Sequence, residues 1–194
     1  MINIVLFGKP GAGKGTQAEF LKQKYNLTHL STGDIFRYNI KNETELGKLA
    51  KTFMDHGNLV PDEVTIQMLE EEVNNNINSA GFLFDGFPRT LSQAEALDLF
   101  LKSKNDAITA TIALDADDEV LVQRLLERGK TSGRPDDQDE VKIRKRYQEY
   151  NEKTAPLTNY YQNQNKFFAV NGIGQVAEVT QRLSDVIENF INHK

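Results

Sequence analysis

The glycine-rich segment at residues 8–16 limits the possible folds of this chain more than any other feature. It reads Gly-Lys-Pro-Gly-Ala-Gly-Lys-Gly-Thr and directly follows the apolar run Ile2–Phe7. Glycines let backbone N–H groups turn inward around a polyphosphate, the following helix N-terminus adds positive potential, and Lys14 can reach the terminal phosphates. The hydroxyl comes at Thr16, one residue later than in the strict consensus, because Gly15 follows the lysine. The segment predicts a nucleotide phosphate-binding loop between a strand and a helix.

Short apolar runs alternate with longer helical patterns along the rest of the chain. The runs lie at residues 2–7, 29–30, 82–84, 108–114 and 167–170. Alternation of this kind is typical of βαβ units, so we expect one α/β domain over 1–194, with five parallel strands flanked by helices. Two stretches interrupt it: 31–60, which is helical and polar, and 129–136, a turn-rich loop between two long helices. Both are candidates for mobile elements above a site at the strand ends.

Composition narrows the class of partner. The chain has 194 residues and a net charge of −5, which argues against a nucleic-acid backbone as its main partner. No apolar run approaches the roughly 20 residues that span a bilayer, and the first residues lack the pattern of a signal peptide. There is no cysteine, so thiolate zinc sites and disulfides are excluded. We expect a cytoplasmic protein that acts on small molecules.

Arginines are concentrated in one part of this acidic chain. Five of the eight lie between positions 124 and 146. Arginine is suited to bidentate recognition of phosphate or carboxylate. Alone, such a cluster is typical of a solvated helix surface, but beside a phosphate-binding loop it indicates a cationic clamp. Asp85 ends a buried apolar run, where a carboxylate suits Mg²⁺ or its waters, and the turn at Gly86 and Pro88 directs Arg89 back towards the same strand ends.

In this order and spacing, the motifs resemble the adenylate kinase family over essentially the whole chain. The matching pieces are GKPGAGKGTQ (8–17), STGDIFR (31–37), MDHGNLVPDE (54–63), FDGFPRTLSQ (84–93), RLLERG (124–129), SGRPDDQ (132–138), RKRYQEYNEKTAPL (144–157) and NGIGQVAEV (171–179). The resemblance implies a P-loop NTPase fold with a helical monophosphate-binding insertion at 31–60 and a short lid at 127–137. It also implies reversible transfer of the γ-phosphoryl group of ATP to AMP, giving two ADP, with Mg²⁺.

The resemblance further implies a role for each matching residue. The expected AMP-binding residues are Thr32, Arg37, Met54, Leu59, Val60, Gly86, Arg89, Gln93, Arg134 and Arg146. The expected ATP-binding residues are Gly11, Ala12, Gly13, Lys14, Gly15, Thr16, Arg128 and Gly174. The expected catalytic residues are Lys14, Arg89, Arg124, Arg128, Arg134 and Arg146, with Asp85 holding Mg²⁺ through water. Asp136 and Asp137 would close the lid onto the arginines.

Elementary chemistry agrees with this assignment. The acceptor would be a phosphate oxygen, which is already an anion and needs no catalytic base. The obstacle is to bring two anions together, which calls for lysine and arginine side chains around groups held in line. Water must also be excluded, because ATP would otherwise be hydrolysed, and two closing segments could do this.

Two positions bear on which monophosphate is accepted. Uridylate and cytidylate kinases of the same fold usually carry alanine at the position of Thr32 and asparagines after the arginine of the Gly-Phe-Pro-Arg motif. Here the residues are Thr32 and Gln93. A glutamine amide offers both a donor and an acceptor to the adenine edge, so AMP is favoured over UMP and CMP.

Several alternatives stay open in the sequence. Arg144 and Arg146 compete for the acceptor-phosphate role, and the register of the following Tyr147–Tyr150 segment favours Arg146. The lid is short and the chain has no cysteine, so no structural zinc is expected. We also expect a monomer. A kinase acting on a hydroxyl group would need a carboxylate base at the acceptor. A GTPase-type switch would need the guanine-reading motif Asn-Lys-x-Asp. Residues 165–168 read Asn-Lys-Phe-Phe, so this motif is absent there.

Overall fold

The computed structural model describes residues 1–192 and contains a five-stranded, fully parallel sheet. The order across the sheet is β2-β3-β1-β4-β5. The strands are β1 (Ile2–Phe7), β2 (Thr28–Ser31), β3 (Gly81–Asp85), β4 (Ala110–Asp115) and β5 (Phe167–Asn171). The α/β class and the parallel sheet predicted from the apolar runs are therefore confirmed.

Helices connect successive strands and cover the sheet. They are α1 (Lys14–Tyr25), α2 (Thr32–Lys41), α3 (Glu45–Met54), α4 (Asp62–Asn75), α5 (Leu91–Ser103), α6 (Asp118–Ser132), α7 (Glu140–Glu149), α8 (Leu157–Gln162) and α9 (Val176–Asn192). A short 3-10 turn over Pro135–Asp137 links α6 to α7, and a π-helical turn over Tyr150–Thr154 follows α7. Among residues 1–192, no helix combines the length and apolar character needed to cross a bilayer.

Each face of the sheet has its own hydrophobic core, because side chains alternate along the central strand β1. Ile4 and Leu6 point to the face covered by α1, α6 and α9, while Val5 and Phe7 point to the face covered by α4, α5 and α8. A third, smaller cluster joins α2 and α3 of the 31–60 segment to α4, which also packs against the sheet. Both cores leave the carboxyl ends of the strands open to the connecting loops.

The predicted loop at 129–136 is wrong over its first four residues. Helix α6 continues through Ser132 and ends at Gly133, whose φ of 65° closes the helix in the left-handed region. Gly129 lies inside α6 against the backbone of Asp137, where an added Cβ would come within 2.6 Å of the Asp137 carbonyl oxygen. The glycine is thus explained by close packing rather than by a helix end. Local turn propensity was outweighed by this tertiary contact.

Candidate active site

The candidate site lies at the carboxyl ends of the central strands. Strand register places Asp85, at the end of β3, beside Leu6 of β1 and Ser31 of β2. The phosphate-binding loop leaves β1 at this edge, and α2 starts here at Thr32. Parallel strands therefore bring three separate motifs of the sequence to one place.

The loop between β1 and α1 is folded tightly against its surroundings. Gly8 and Gly11 have φ values of 142° and 87°, and an added Cβ at either would come within 3.0 Å of a backbone oxygen of Leu114 or Leu121. Lys14 begins α1 and donates from Nζ to the Gly8 carbonyl oxygen at 2.7 Å. The loop has the form predicted for a polyphosphate cradle at a helix N-terminus.

Lys14 is a cation held among other cations. Burial of its ammonium group, together with the charges of nearby arginines, lowers the pKa of Lys14 to about 8, although Asp85 acts in the opposite direction. A bound phosphate would supply the negative charge that favours the protonated lysine.

A cavity of about 410 Å³ collects most of the predicted clamp. Its lining includes Thr16 in the first turn of α1 and Asp85 at the strand end. The cations that line it are Lys14, Arg37, Arg89, Arg128, Arg134 and Arg146. Because the whole chain carries a net charge of −5, this concentration of positive charge is local and suits a polyanion.

Arg89 is aimed into this cavity by the turn after β3. Its Nε donates to the Gly86 carbonyl oxygen at 2.7 Å, and Thr32 Oγ1 donates to the same oxygen at 2.9 Å. Burial, together with the neighbouring charge of Arg146, lowers the pKa of Arg89 to about 10. The guanidinium therefore stays charged at neutral pH while lying in an enclosed position, as the predicted phosphate contact requires.

Asp137, in the predicted lid, forms ion pairs with two of the arginines. Its side chain is fully buried and accepts hydrogen bonds from Arg128 Nε at 2.7 Å and from Arg146 Nη1 at 3.0 Å. Burial alone would raise the pKa of Asp137, but these hydrogen bonds and charges hold it below its usual value. Arg134 reaches across to Asp34 of α2 at 3.3 Å, and Arg37 also pairs with Asp34. The predicted lid at 127–137 thus contacts the predicted insertion at 31–60.

Arg144 and Arg146 occupy different environments. Arg144 is exposed and pairs with Glu119 and Glu140 on the protein surface. Arg146 lines the central cavity and contacts Asp136 Oδ2 at 2.9 Å. The arrangement favours Arg146 for the predicted phosphate contact.

Arg124 lies apart from the other arginines of the predicted clamp. Arg124 lies one helical turn before Arg128 on α6, so it lines a neighbouring cavity of about 340 Å³ instead of the central one. Gly174 and the loop residues Gly11, Ala12 and Gly13 line the same cavity. Arg124 therefore lies with the predicted ATP-binding residues and outside the cluster of the other clamp arginines.

Asp85 is buried and has two close polar neighbours. Burial would raise its pKa, but the close approach of the His29 imidazole and the charge of Lys14 lower the pKa overall, so the carboxylate is ionised at neutral pH. His29 Nε2 lies 3.6 Å from Asp85 Oδ2. An ionised carboxylate together with the Thr16 hydroxyl in one cavity is a donor set that Mg²⁺ accepts. Among residues 1–192 there is no cluster of three or more His, Cys, Asp and Glu side chains that could hold a metal ion unaided.

The predicted AMP-binding residues line two smaller cavities beside the central one. The cavity of about 130 Å³ is lined by Arg37, Met54, Leu59, Gly86 and Arg89. The cavity of about 50 Å³ is lined by Thr32, Met54, Leu59, Val60, Gly86, Arg89 and Gln93. The structure therefore brings most of the residues predicted to hold the acceptor into these two cavities, whereas Arg134 lines the central cavity.

Other residues at the site were not singled out from the sequence. Glu149 and Tyr150 line the cavity of about 130 Å³, and His29 reaches Asp85 from the neighbouring strand. Asp62 accepts a hydrogen bond from the Gln93 side-chain amide at 2.8 Å. No spacing rule links these positions, because each contact joins elements far apart in the chain. The nearest signal was the Pro61-Asp62 pair, which reads as a helix start.

Comparison with known proteins identifies the relatives of the chain. A family model described as adenylate kinase matches residues 6–166. The adenylate kinase of Flavobacterium psychrophilum is 80% identical over 190 residues, which cover 98% of this chain and 100% of that protein. The adenylate kinase of Flavobacterium johnsoniae is 74% identical over the same shares. The adenylate kinase of Bacteroides fragilis is 45% identical, again over 98% of this chain and 100% of the relative.

Proposed function

The chain belongs to the adenylate kinase family, a family of phosphotransferases that convert ATP and AMP into two ADP, and we propose that the cations of its central cavity carry out this transfer. The observation that carries the proposal is the convergence of Lys14 with five arginines on one cavity at the strand ends. In an acidic chain, such a site is suited to two phosphate-bearing substrates that must approach each other.

ATP is assigned to the loop side of the site. Backbone N–H groups of residues 11–16 and the N-terminus of α1 would bind its phosphates, with Lys14 on the terminal ones. The cavity lined by Arg124 and Gly174 continues from this loop and would take the nucleoside end. Arg128 lines both cavities, so it would contact the phosphates between them.

AMP is assigned to the opposite side. Arg37 and Arg89 would bind its phosphate, and Thr32 with Gln93 would face its base in the cavity that Met54, Leu59 and Val60 also line. Arg134 and Arg146 would bridge the acceptor and the transferring group. The AMP phosphate oxygen attacks without a base, so these side chains orient the two anions in line and offset the charge between them.

Mg²⁺ would be held by phosphate oxygens, by Asp85 through water and by Thr16. When bound, it neutralises charge on the donor phosphates. The residues of this chain that exclude water are those of the lid at 127–137 and the insertion at 31–60. The contact of Arg134 with Asp34 supports closure of these two segments over the cavity.

The proposal also covers the oligomeric state, the compartment and the partners of the chain. We infer that the chain works as a monomer in the cytoplasm on free ATP, AMP and ADP, and not on nucleic acid. The net charge of −5 supports the last point, because a phosphate backbone would be repelled outside the local cationic cavity.

An acceptor panel tests the proposal. Purified protein is given Mg·ATP with AMP, UMP, CMP, GMP or no acceptor, and the formation of ADP is measured. We expect ADP with AMP and little with the other acceptors, since Gln93 can pair with adenine. Faster turnover with UMP or CMP would contradict the assignment of Thr32 and Gln93. ADP formation at the same rate with and without an acceptor would contradict the assignment of the cavity as a kinase site.

A further inference from the structure

The side-chain amide of Gln93 is held on both sides by groups of opposite hydrogen-bonding character. Gln93 is only 2% exposed. Its Oε1 accepts from the backbone N–H of Arg89 at 2.8 Å, and its Nε2 donates to Asp62 Oδ1 at 2.8 Å. A backbone N–H can only donate and a carboxylate can only accept, so both neighbours demand the same orientation of the amide.

Asp62 is itself fixed in place. It is the first residue of α4, and its second carboxylate oxygen accepts from Thr90 Oγ1 at 2.7 Å. Thr90 caps α5 and accepts from the Gln93 backbone N–H at 3.2 Å. The carboxylate therefore joins the starts of two helices beside the cavity that Gln93 lines.

The orientation of this amide decides which purine fits. Adenine presents a donor at its 6-amino group and an acceptor at N1, whereas hypoxanthine and guanine present an acceptor at O6 and a donor at N1. After its two internal hydrogen bonds, the Gln93 amide keeps one lone pair and one hydrogen for a ligand. A 6-oxopurine would need the amide turned by half a rotation. That rotation would set the oxygen against Asp62 and the NH₂ group against the Arg89 N–H.

We propose that Asp62 is a specificity-determining positioning residue, which holds the Gln93 amide in the orientation that accepts adenine and rejects 6-oxopurines. The inference rests on the proposed function, since it takes the Gln93 cavity as the AMP-base site. Asp62 acts through Gln93 and need not touch the substrate. Asp62 is therefore expected to affect kcat/KM for a 6-oxopurine acceptor differently from kcat/KM for AMP. A turned Gln93 amide would leave two acceptors facing each other on one side and two donors on the other.

The test compares AMP with IMP, which differ in the donor and acceptor pattern at positions 1 and 6 of the purine. For the wild type and Asp62→Asn, kcat/KM is measured for each acceptor with Mg·ATP, and the diphosphate product is separated by chromatography. An asparagine at 62 can turn its own amide to donate to the Gln93 oxygen. We expect the AMP:IMP ratio of kcat/KM to fall about tenfold or more in this variant.

The matched control is Glu63→Gln, which removes one negative charge from the same first turn of α4 at an exposed position. We expect this variant to keep the wild-type ratio and AMP activity. If Asp62→Asn does not fold, as judged by circular dichroism and thermal unfolding, Asp62→Ala removes the same acceptor and is expected to lower the ratio in the same direction.

The outcomes separate the inference from the proposed function. A purely structural role for Asp62 would lower activity with AMP and IMP together, so an unchanged ratio in an active variant overturns the inference alone. A wild-type protein without AMP-dependent transfer overturns the inference and the proposed function together. A lower ratio in Asp62→Asn, with Glu63→Gln unchanged, supports both.

Discussion

Replacing Lys14 by methionine is expected to lower kcat/KM for phosphoryl transfer by about 100- to 1,000-fold. Lys14 lines the central cavity at the start of α1, where its ammonium group would meet the terminal phosphates of ATP. Methionine keeps most of the side-chain length but removes the charge. The measurement is steady-state ADP formation from ATP and AMP, with circular dichroism to establish that the variant is folded.

The pH dependence of ATP binding gives Lys14 a second, independent readout. Its pKa in the empty site is about 8, so the wild-type lysine is largely protonated at pH 7 and loses its proton as the pH rises past 8. Bound phosphate favours the charged form, so the Kd for ATP is expected to increase by up to about tenfold per pH unit above 8. In Lys14→Met the Kd is expected to be higher than that of the wild type at pH 7, and this dependence on pH is expected to disappear.

Lys24→Met is the control for the lysine, because Lys24 lies at the other end of α1 and pairs with Glu188 on the surface. We expect it to retain wild-type transfer and the wild-type pH dependence. Activity near the wild-type level in a folded Lys14→Met variant would remove this lysine from the phosphate site.

The second large effect is expected at Arg146, with Arg144 as its natural control. Arg146→Ala should lower kcat by about 100- to 1,000-fold, because the guanidinium lies in the cavity proposed as the place of phosphoryl transfer, where it would stabilise the developing charge. Arg144→Ala should change kcat by less than about threefold, since exposed ion pairs such as those with Glu119 and Glu140 contribute little. Arg144 and Arg146 carry the same charge and lie two positions apart on α7. The comparison therefore measures the effect of where the guanidinium lies, and not the effect of losing one positive charge.

Stability must be followed in the same experiment. Arg146 is one of two arginines that contact the buried Asp137, so its removal is expected to lower the melting temperature as well as the rate. Arg146→Lys keeps the positive charge but not the planar pair of donors, and it is expected to recover stability better than turnover. Equal kcat losses for Arg144→Ala and Arg146→Ala would contradict the assignment of Arg146.

The sheet and the phosphate-binding loop were predictable because both depend on local pattern. Apolar runs between helical stretches indicate parallel strands, and the ends of such strands meet at one edge. That rule was enough to expect Asp85 and the loop containing Lys14 to lie together, and they line the same cavity. The correct order of the strands did not follow from the pattern alone.

The parts that sequence reasoning missed depend on contacts between distant elements. Helix α6 extends past Gly129 because it packs against the backbone of Asp137, which no turn propensity reports. His29 meets Asp85 because β2 lies beside β3, and Asp62 meets Gln93 because two helices start side by side. The cavity that Arg124 lines also did not follow from the sequence: Arg124 lies one turn of helix before Arg128 and lines the neighbouring cavity with Gly174, and its catalytic role stays a prediction.

The central claim is that the cationic cavity passes the γ-phosphoryl group directly from ATP to the phosphate of AMP. The most direct measurement uses ATP labelled at the γ-phosphate together with AMP that carries a different label in its base, followed by separation of the nucleotides and inorganic phosphate. We expect the phosphate label to appear in the ADP that carries the base label, with little in inorganic phosphate. Release of the label mainly as inorganic phosphate, whether or not AMP is present, would contradict it.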